Sequence, residues 1–304
     1  MVSKNRFEPS TRFEWKVAKG GYHWIKTKKG RVLCAVDASK PDWLDIFDAY
    51  RNTYRPLEER TGLFRTFAEL QPTERQVCEF ADRFGMLLEG DNLQLDSSHG
   101  PVSIHAEQLQ TWKENIIQLR RMVKLWDLVR SGDRKALVKL AEQSVDHTLP
   151  LAVQNRFHLN DANPAMPVLS TIQRTTDKAL REHIHTTLLF NGDEPRLKVF
   201  LEPQDLLGAL WLQFAAAVDS RKTFTQCAFC GESFEVSRDP AGKRRNARFC
   251  SDRCRVAHYR ARIDRARQLK SEDTPLREIA RELNTSVSTV RNWLTSEDRV
   301  DVKN

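Results

Sequence analysis

Four of the six cysteines stand as two pairs, Cys227-x2-Cys230 and Cys250-x3-Cys254, with nineteen residues between them. Thiolates are soft donors, and four at this spacing suit a single tetrahedral metal ion. A Cys-x2-Cys turn aims two sulfurs at one point, and Gly231 directly after it permits the tight bend. Cys250 and Cys254 are four apart, so they share one face of a helix beginning at Ser251. The pattern predicts one Zn²⁺, bound structurally, because four thiolates complete the tetrahedron and leave no open position for a substrate. His258, one turn beyond Cys254, is the alternative ligand. Cys34 and Cys78 stand alone in the apolar contexts VLCAV and QVCEF and read as plain buried residues. Clustered spacing of this kind, in a reducing compartment, points to metal ligation and not to disulfides.

The elements that must position these sulfurs carry most of the charge. The 304-residue chain has a formal net charge of +8. Residues 221–270 hold 14 Lys/Arg against 5 Asp/Glu, a net +9, while residues 271–304 are at −2 and the first 220 at only +1. A basic stripe confined to the cysteine module is the footprint of a polyanion binder. Lys243, Arg244, Arg245 and Arg248 lie between the cysteine pairs, on a segment whose β-like ends flank Asp239-Pro240-Ala241-Gly242 and predict a hairpin. Arg253, Arg255, Arg260, Arg262, Arg265 and Arg267 lie on the following helix. All can neutralise phosphates and release counterions.

Knuckle, hairpin and helix, in that order, make a treble-clef finger. The run CAFCGESF…RFCSDRCRVAHYRAR resembles the bacterial treble-clef fingers of the CGNR type over about 45 residues, with Cys-Arg-Val-Ala at the second pair in place of Cys-Gly-Asn-Arg. Further on, LREIARELNTSVSTVRNWL resembles the helix-turn-helix of bacterial regulators and resolvases. Thr274-Pro275 predicts its start, with Thr as cap and Pro at the first helical position. Ala280 is small where two helices would cross, and Asn284 stands where the turn needs a left-handed residue. At 100° per residue Val287, Val290, Trp293 and Leu294 turn inward, while Ser288, Arg291, Asn292 and Thr295 turn outward. Arg and Asn are the residue types that read guanine and adenine bidentately. The resemblance implies contact with double-stranded DNA through these four, and with its phosphates through Lys243, Arg244, Arg245, Arg248, Arg255 and Arg260.

The first 220 residues read as a mixed, helix-rich domain. YHWIK and RVLCAV are β-like, Trp43 to Tyr54 reads as a helix, and Thr73 opens another with Val77, Phe80, Ala81 and Phe84 on one face. GDNLQLDSSHG predicts a loop or short hairpin. Leu109, Trp112, Ile116, Leu119, Val123 and Trp126 recur at helical steps, either as a core-facing stripe or as a coiled-coil seam, and Lys135 starts a further helix after Ser131-Gly132-Asp133. Residues 151–202 look strand-like, with HTTLLF and RLKVFLE as a hairpin, and Pro203 opens a helix through Val218. His183 and His185 read as a solvent-facing pair at a strand entrance. No Gly-rich phosphate loop, G-x-S-x-G or H-E-x-x-H pattern occurs, so no catalytic residue is assigned and no enzyme is expected.

The expected fold class is α+β: a mixed N-terminal sensor or oligomerisation domain (1–220), a treble-clef module with a basic helix (221–270) and a helix-turn-helix (271–304). The N-terminus lacks the apolar run of a signal peptide, and no apolar stretch reaches the roughly 18 residues of a spanning helix. A cytoplasmic, bacterial-type transcriptional regulator with no membrane partner is expected, and the first domain leaves room for a small-molecule effector and a homodimer contact. An RNA-binding or protein-interaction scaffold is the alternative.

Overall fold

The computed structural model describes residues 10–11, 13–28, 30–35, 52–90, 93–97, 100–143, 165–190, 197–220, 222–236 and 246–295. The chain is a mixed α+β structure that divides into two compact units, residues 1–222 and 223–304. Among the described residues no helix is long and apolar enough to cross a membrane.

In the first unit, β1 (Ser10–Thr11) and β2 (Trp15–Val17) precede a hairpin of β3 (His23–Thr27) and β4 (Gly30–Cys34). This hairpin forms where the β-like runs predict it, with Trp24 opposite Leu33. Cys34 is fully buried within it. Next, β5 (Asn52–Tyr54) pairs antiparallel with β2. The helix expected over Trp43 to Tyr54 is thus contradicted at its last three residues, where pairing with a distant strand overrides local preference. Residues 36–51 lie outside the described residues. The Gly/Asn/Asp-rich stretch forms the hairpin β6 (Leu93–Ser97)–β7 (Gly100–Ile104), and β8 (Ala106–Gln108) joins the free edge of β4.

The core of this unit is helical and aromatic. Its helices are α1 (Pro56–Glu59), α2 (Leu63–Glu69), α3 (Glu74–Phe84), α4 (Leu109–Ser131), α5 (Arg134–Gln143), α6 (Ala165–His183) and α7 (Leu206–Asp219). Thr73 caps α3 by accepting the Gln76 N–H, and its four-residue apolar stripe is buried as expected. In α4, Trp112, Ile116, Leu119, Val123 and Trp126 are all buried inside their own unit, so the stripe is a core face, and Gly132 in the left-handed region ends the helix. Rings from three helices meet edge to face: Phe67 and Phe80 at 5.4 Å, and Phe80 and Trp112 at 5.9 Å. The apolar run of α7 is buried on nearly every face. Its one polar core residue, Gln213, accepts the Phe64 N–H and donates to the carbonyls of Pro56 and Arg60, so it is satisfied.

Two expectations between residues 151 and 218 need correction. Part of the strand-like stretch is α6, a 19-residue helix. Pro167 falls in its first turn, where a missing N–H costs nothing, and Val168, Ile172, Thr176 and Ala179 bury one face. Residues 144–164 lie outside the described residues. The hairpin does form, from β9 (Ile184–Phe190) and β10 (Leu197–Pro203), with Phe190 opposite Leu197 and β1 parallel on the other side of β10. Pro203, however, is the last residue of that strand. The helix starts at Leu206, because Asp205 caps it by accepting the Gly208 N–H at 2.7 Å.

Asp205 also accepts a 2.8 Å hydrogen bond from His183 Nδ1, so the end of α6 is tied to the start of α7. Only His185 is solvent-facing; His183 is half-buried. Gly208 is needed here, since a Cβ on it would lie 2.5 Å from the His183 carbonyl oxygen. The bond to Asp205 holds the His183 imidazolium above its ordinary pKa, against the opposing effect of burial. A raised histidine pKa stabilises the fold fully below the unfolded value of about 6.5, and the contribution is lost as pH rises through the folded value. Asp205→Asn keeps a good helix cap but removes the charge. It should lower the His183 pKa measured by NMR titration, and it should shrink the stability the protein gains on acidification through that window.

The second unit consists of β11 (Thr223–Gln226), β12 (Ser233–Val236) and three helices, α8 (Asp252–Ser271), α9 (Leu276–Glu282) and α10 (Val287–Thr295). The C-terminal half of α8 packs with α9 and α10 around Ala266, Leu269, Ile279, Ala280, Val290 and Trp293. Pro275 occupies the cap position of α9, so the helix starts one residue later than expected, and Thr274 is not the cap. The Thr274 N–H instead closes the end of α8 by donating to the Leu269 carbonyl, while Asp273 turns through φ 57°.

Candidate metal centre and the basic helix beside it

The first cysteine pair sits at the tip of the β11–β12 hairpin. Gln226 and Ser233 close the ladder, the Cys227 N–H donates to the Glu232 carbonyl and the Gly231 N–H to the Cys227 carbonyl, each at 2.9 Å. Gly231 has φ 73°, so the bend uses the left-handed freedom expected of it. The hairpin turn expected around Asp239–Gly242 falls outside the described residues; the hairpin that the described residues do show has the Cys-x2-Cys turn at its tip. Residues 237–245 lie outside the described residues, and Ala247 to Phe249 are not a strand. That segment is nonetheless pinned to the knuckle, because the Ala228 N–H donates to the Arg248 carbonyl at 2.8 Å.

The second pair straddles the start of α8: Cys254 lies in its first turn, while Cys250 precedes the cap and so is not on the helix face expected of it. Ser251 is the cap and accepts the Cys254 N–H. The result brings together all four cysteines from their two distant pairs. Their sulfurs lie within 4.8 Å of one another, with Cys230–Cys250 at 3.6 Å and Cys250–Cys254 at 3.4 Å. A tetrahedral ion with sulfur bonds of about 2.3 Å needs sulfurs about 3.8 Å apart. The donor set therefore fits a metal ion such as zinc, and no pair is close enough to be a disulfide. His258 is not part of the cluster; its ring lies against Phe249 at 5.0 Å.

Electrostatics make the same demand. Burial alone would raise the Cys227 thiol, but backbone N–H groups of Cys230, Cys250 and Phe229 favour its thiolate more strongly and bring it down to about 6. Burial pushes the Cys230 thiol up, and burial together with the neighbouring Cys254 thiol raises Cys250 to about 11. One ready thiolate among crowded thiols is a site that ionises fully only when a cation supplies the opposing charge. Beneath it lies a small core of Cys227, Phe234 and Val236 with Ala247 and Phe249 against them.

The basic residues divide by position. Lys243, Arg244 and Arg245 lie outside the described residues. Arg248, Arg255 and Arg260 are exposed, with Arg255 in a surface pair with Asp252 at 3.1 Å. Arg262 and Arg265 both bond across to the α9 segment, Arg265 from an exposed position. Arg262 donates to the Leu283 carbonyl at 2.7 Å and lies 5.0 Å over the Trp293 ring, and Arg265 pairs with Glu282 at 2.9 Å. These two fasten α8 to the α9–α10 pair, a role their sequence positions did not reveal. Tyr259 was likewise unmarked in the sequence, yet its hydroxyl accepts the Trp293 indole N–H at 2.9 Å.

The α9–α10 turn runs through Asn284 at φ 46°, the left-handed position expected there. Ser286 accepts the Thr289 N–H and starts α10. Val290 and Trp293 are buried, Val287 and Leu294 pack partly against them, and Ser288, Arg291, Asn292 and Thr295 are exposed on the opposite face. No family model matches this chain, and no curated protein or solved structure matches it.

Proposed function

We propose that this chain is a DNA-binding protein, a transcriptional regulator that uses a zinc-bound treble-clef finger and a helix-turn-helix. What carries the reading is α8: one helix holds Cys254 in its first turn and the shared core of α9 and α10 in its last three. The candidate metal site and the candidate reading helix are thus both carried by one helix about 30 Å long. In this reading one Zn²⁺ fills the four-cysteine site, the exposed arginines Arg248, Arg255 and Arg260 contact phosphates, and α10 enters the major groove of double-stranded DNA. Lys243, Arg244 and Arg245 extend the phosphate-binding surface.

The test is selection of genomic fragments, followed by titration of the selected duplex, a scrambled duplex and the matching RNA at several salt concentrations. Binding should favour the selected duplex and weaken linearly in log–log with salt. Arg291→Ala should lose roughly 1–3 kcal/mol of preference for the selected site while non-specific affinity stays nearly intact. Full retention of specificity in that variant would remove α10 as the reading head.

The scaffold or RNA-binding reading draws on a different observation. Phe229, Val256 and Tyr259 are each more than 40% exposed, an apolar group on the same unit as the arginines. Aromatic rings beside cations suit unpaired bases. Preference for the single-stranded RNA over both duplexes would favour that reading.

A further inference from the structure

The first unit contains two clefts that share a wall. The inner one, of about 180 Å³, is lined by Trp15, Tyr22, Met86 and Leu88, with His105 and Gly90 at its end. The outer one, of about 510 Å³, is open and bounded by Phe13, Thr53, Glu202 and Gln204. Trp15, Lys16 and Glu89 line both. At that shared boundary Lys16 Nζ and Glu89 Oε1 stand 3.4 Å apart, with their side chains about half exposed.

The inner wall is preformed. The Trp15 indole N–H donates to the Met86 carbonyl at 3.0 Å, and the Tyr22 backbone N–H to Asp82 at 2.7 Å. Glu107, only 3% exposed, accepts the backbone N–H groups of Leu87 and Leu88 and bonds His105. A buried carboxylate is costly unless satisfied, and this one is satisfied by the segment that forms the cleft wall. Gly85, at φ 88°, lets that segment pass the Trp15 ring, which a Cβ would strike at 2.6 Å. A ligand entering a wall already fixed pays little ordering entropy.

We propose that this paired cleft binds a free α-amino acid with an aromatic or large aliphatic side chain. An α-amino acid carries one ammonium and one carboxylate on a single carbon, and Lys16 and Glu89 offer the complementary charges side by side at the cleft boundary. Its carboxylate turns to Lys16 and its ammonium to Glu89, while Glu14 and Glu202 add negative charge to the lining of the larger cleft. The side chain fills the inner cleft against Trp15, Tyr22, Met86 and Leu88. Cavities of about 150 Å³ take a benzene ring, so the inner volume suffices. The inference is independent of DNA binding, and its test contains no nucleic acid.

The experiment is calorimetric titration of the full chain with L-phenylalanine and L-leucine, and with 2-phenylethylamine and 3-phenylpropanoate, which each lack one charge. L-Phenylalanine should bind at least about tenfold more tightly than either half-charged analogue. Lys16→Met and Glu89→Gln should each weaken it at least about tenfold while leaving the melting temperature nearly unchanged, since exposed ion pairs contribute little to stability. Absence of heat from both amino acids at millimolar concentration overturns the proposal. So does equal binding of either analogue, or undiminished binding by both variants.

Discussion

Replacing Cys250 with serine is expected to release the metal and unfold the cysteine-cluster half of residues 223–304. Structural zinc in small modules contributes about 10–16 kcal/mol of apparent binding free energy near neutral pH. A whole domain is stable by only about 5–15 kcal/mol. The apolar core under the cluster is a handful of residues around Phe234 and Val236, far too small to hold the hairpin and the start of α8 alone. Metal analysis of the purified variant should find less than one zinc per chain, and calorimetry should lose a transition that a strong chelator also removes from the parent protein. His258→Ala should keep its zinc, because that ring lies tilted against Phe249 outside the sulfur cluster. A Cys250→Ser protein that retains both zinc and its melting profile contradicts the metal assignment.

Trp293→Ala is the second large effect and should separate the two halves of that unit. The indole is 5% exposed in a core that has six buried members among the described residues, hydrogen-bonds Tyr259, and lies under the Arg262 guanidinium. Truncating a buried tryptophan costs about 3–5 kcal/mol, and the loss of its N–H partner and cation contact places this case at the upper end. The variant should retain its zinc, since no cysteine belongs to the core that Trp293 fills. Chemical denaturation should show the drop, and hydrogen exchange should localise it to residues 263–295. If zinc is lost together with that protection, the cluster and the three-helix body are one cooperative unit, and metal removal should then also expose the α10 amides.

The four-cysteine candidate metal site was legible from spacing because short-range covalent geometry decides it. A two-residue gap makes two sulfurs converge, a three-residue gap across a helix start brings two more beside them, although Cys250 stands before the cap and not on the helix, and Gly231 supplies the bend. The stripes of α3, α4 and α10 were legible for the same reason: a helix repeats every 3.6 residues wherever it packs. Asn284 announced its own left-handed turn. What failed depended on partners far along the chain. Asn52 to Tyr54 became a strand because Trp15 to Val17 offered a ladder. The α6 stripe passed unnoticed because Thr176, a polar residue, occupies one of its buried positions. Pro203 looked like a helix start, but pairing with Ile184 kept it in β10 and left the cap to Asp205. Tertiary structure alone decided that Arg262 and Arg265 bond across to the α9 segment, since their charge is that of every arginine on the helix. It alone placed Glu107 behind the wall of a cleft and set Lys16 beside Glu89, 73 residues apart. Local geometry can be written into neighbouring residues, whereas a contact between distant segments exists only once the chain has buried its apolar faces and brought them together.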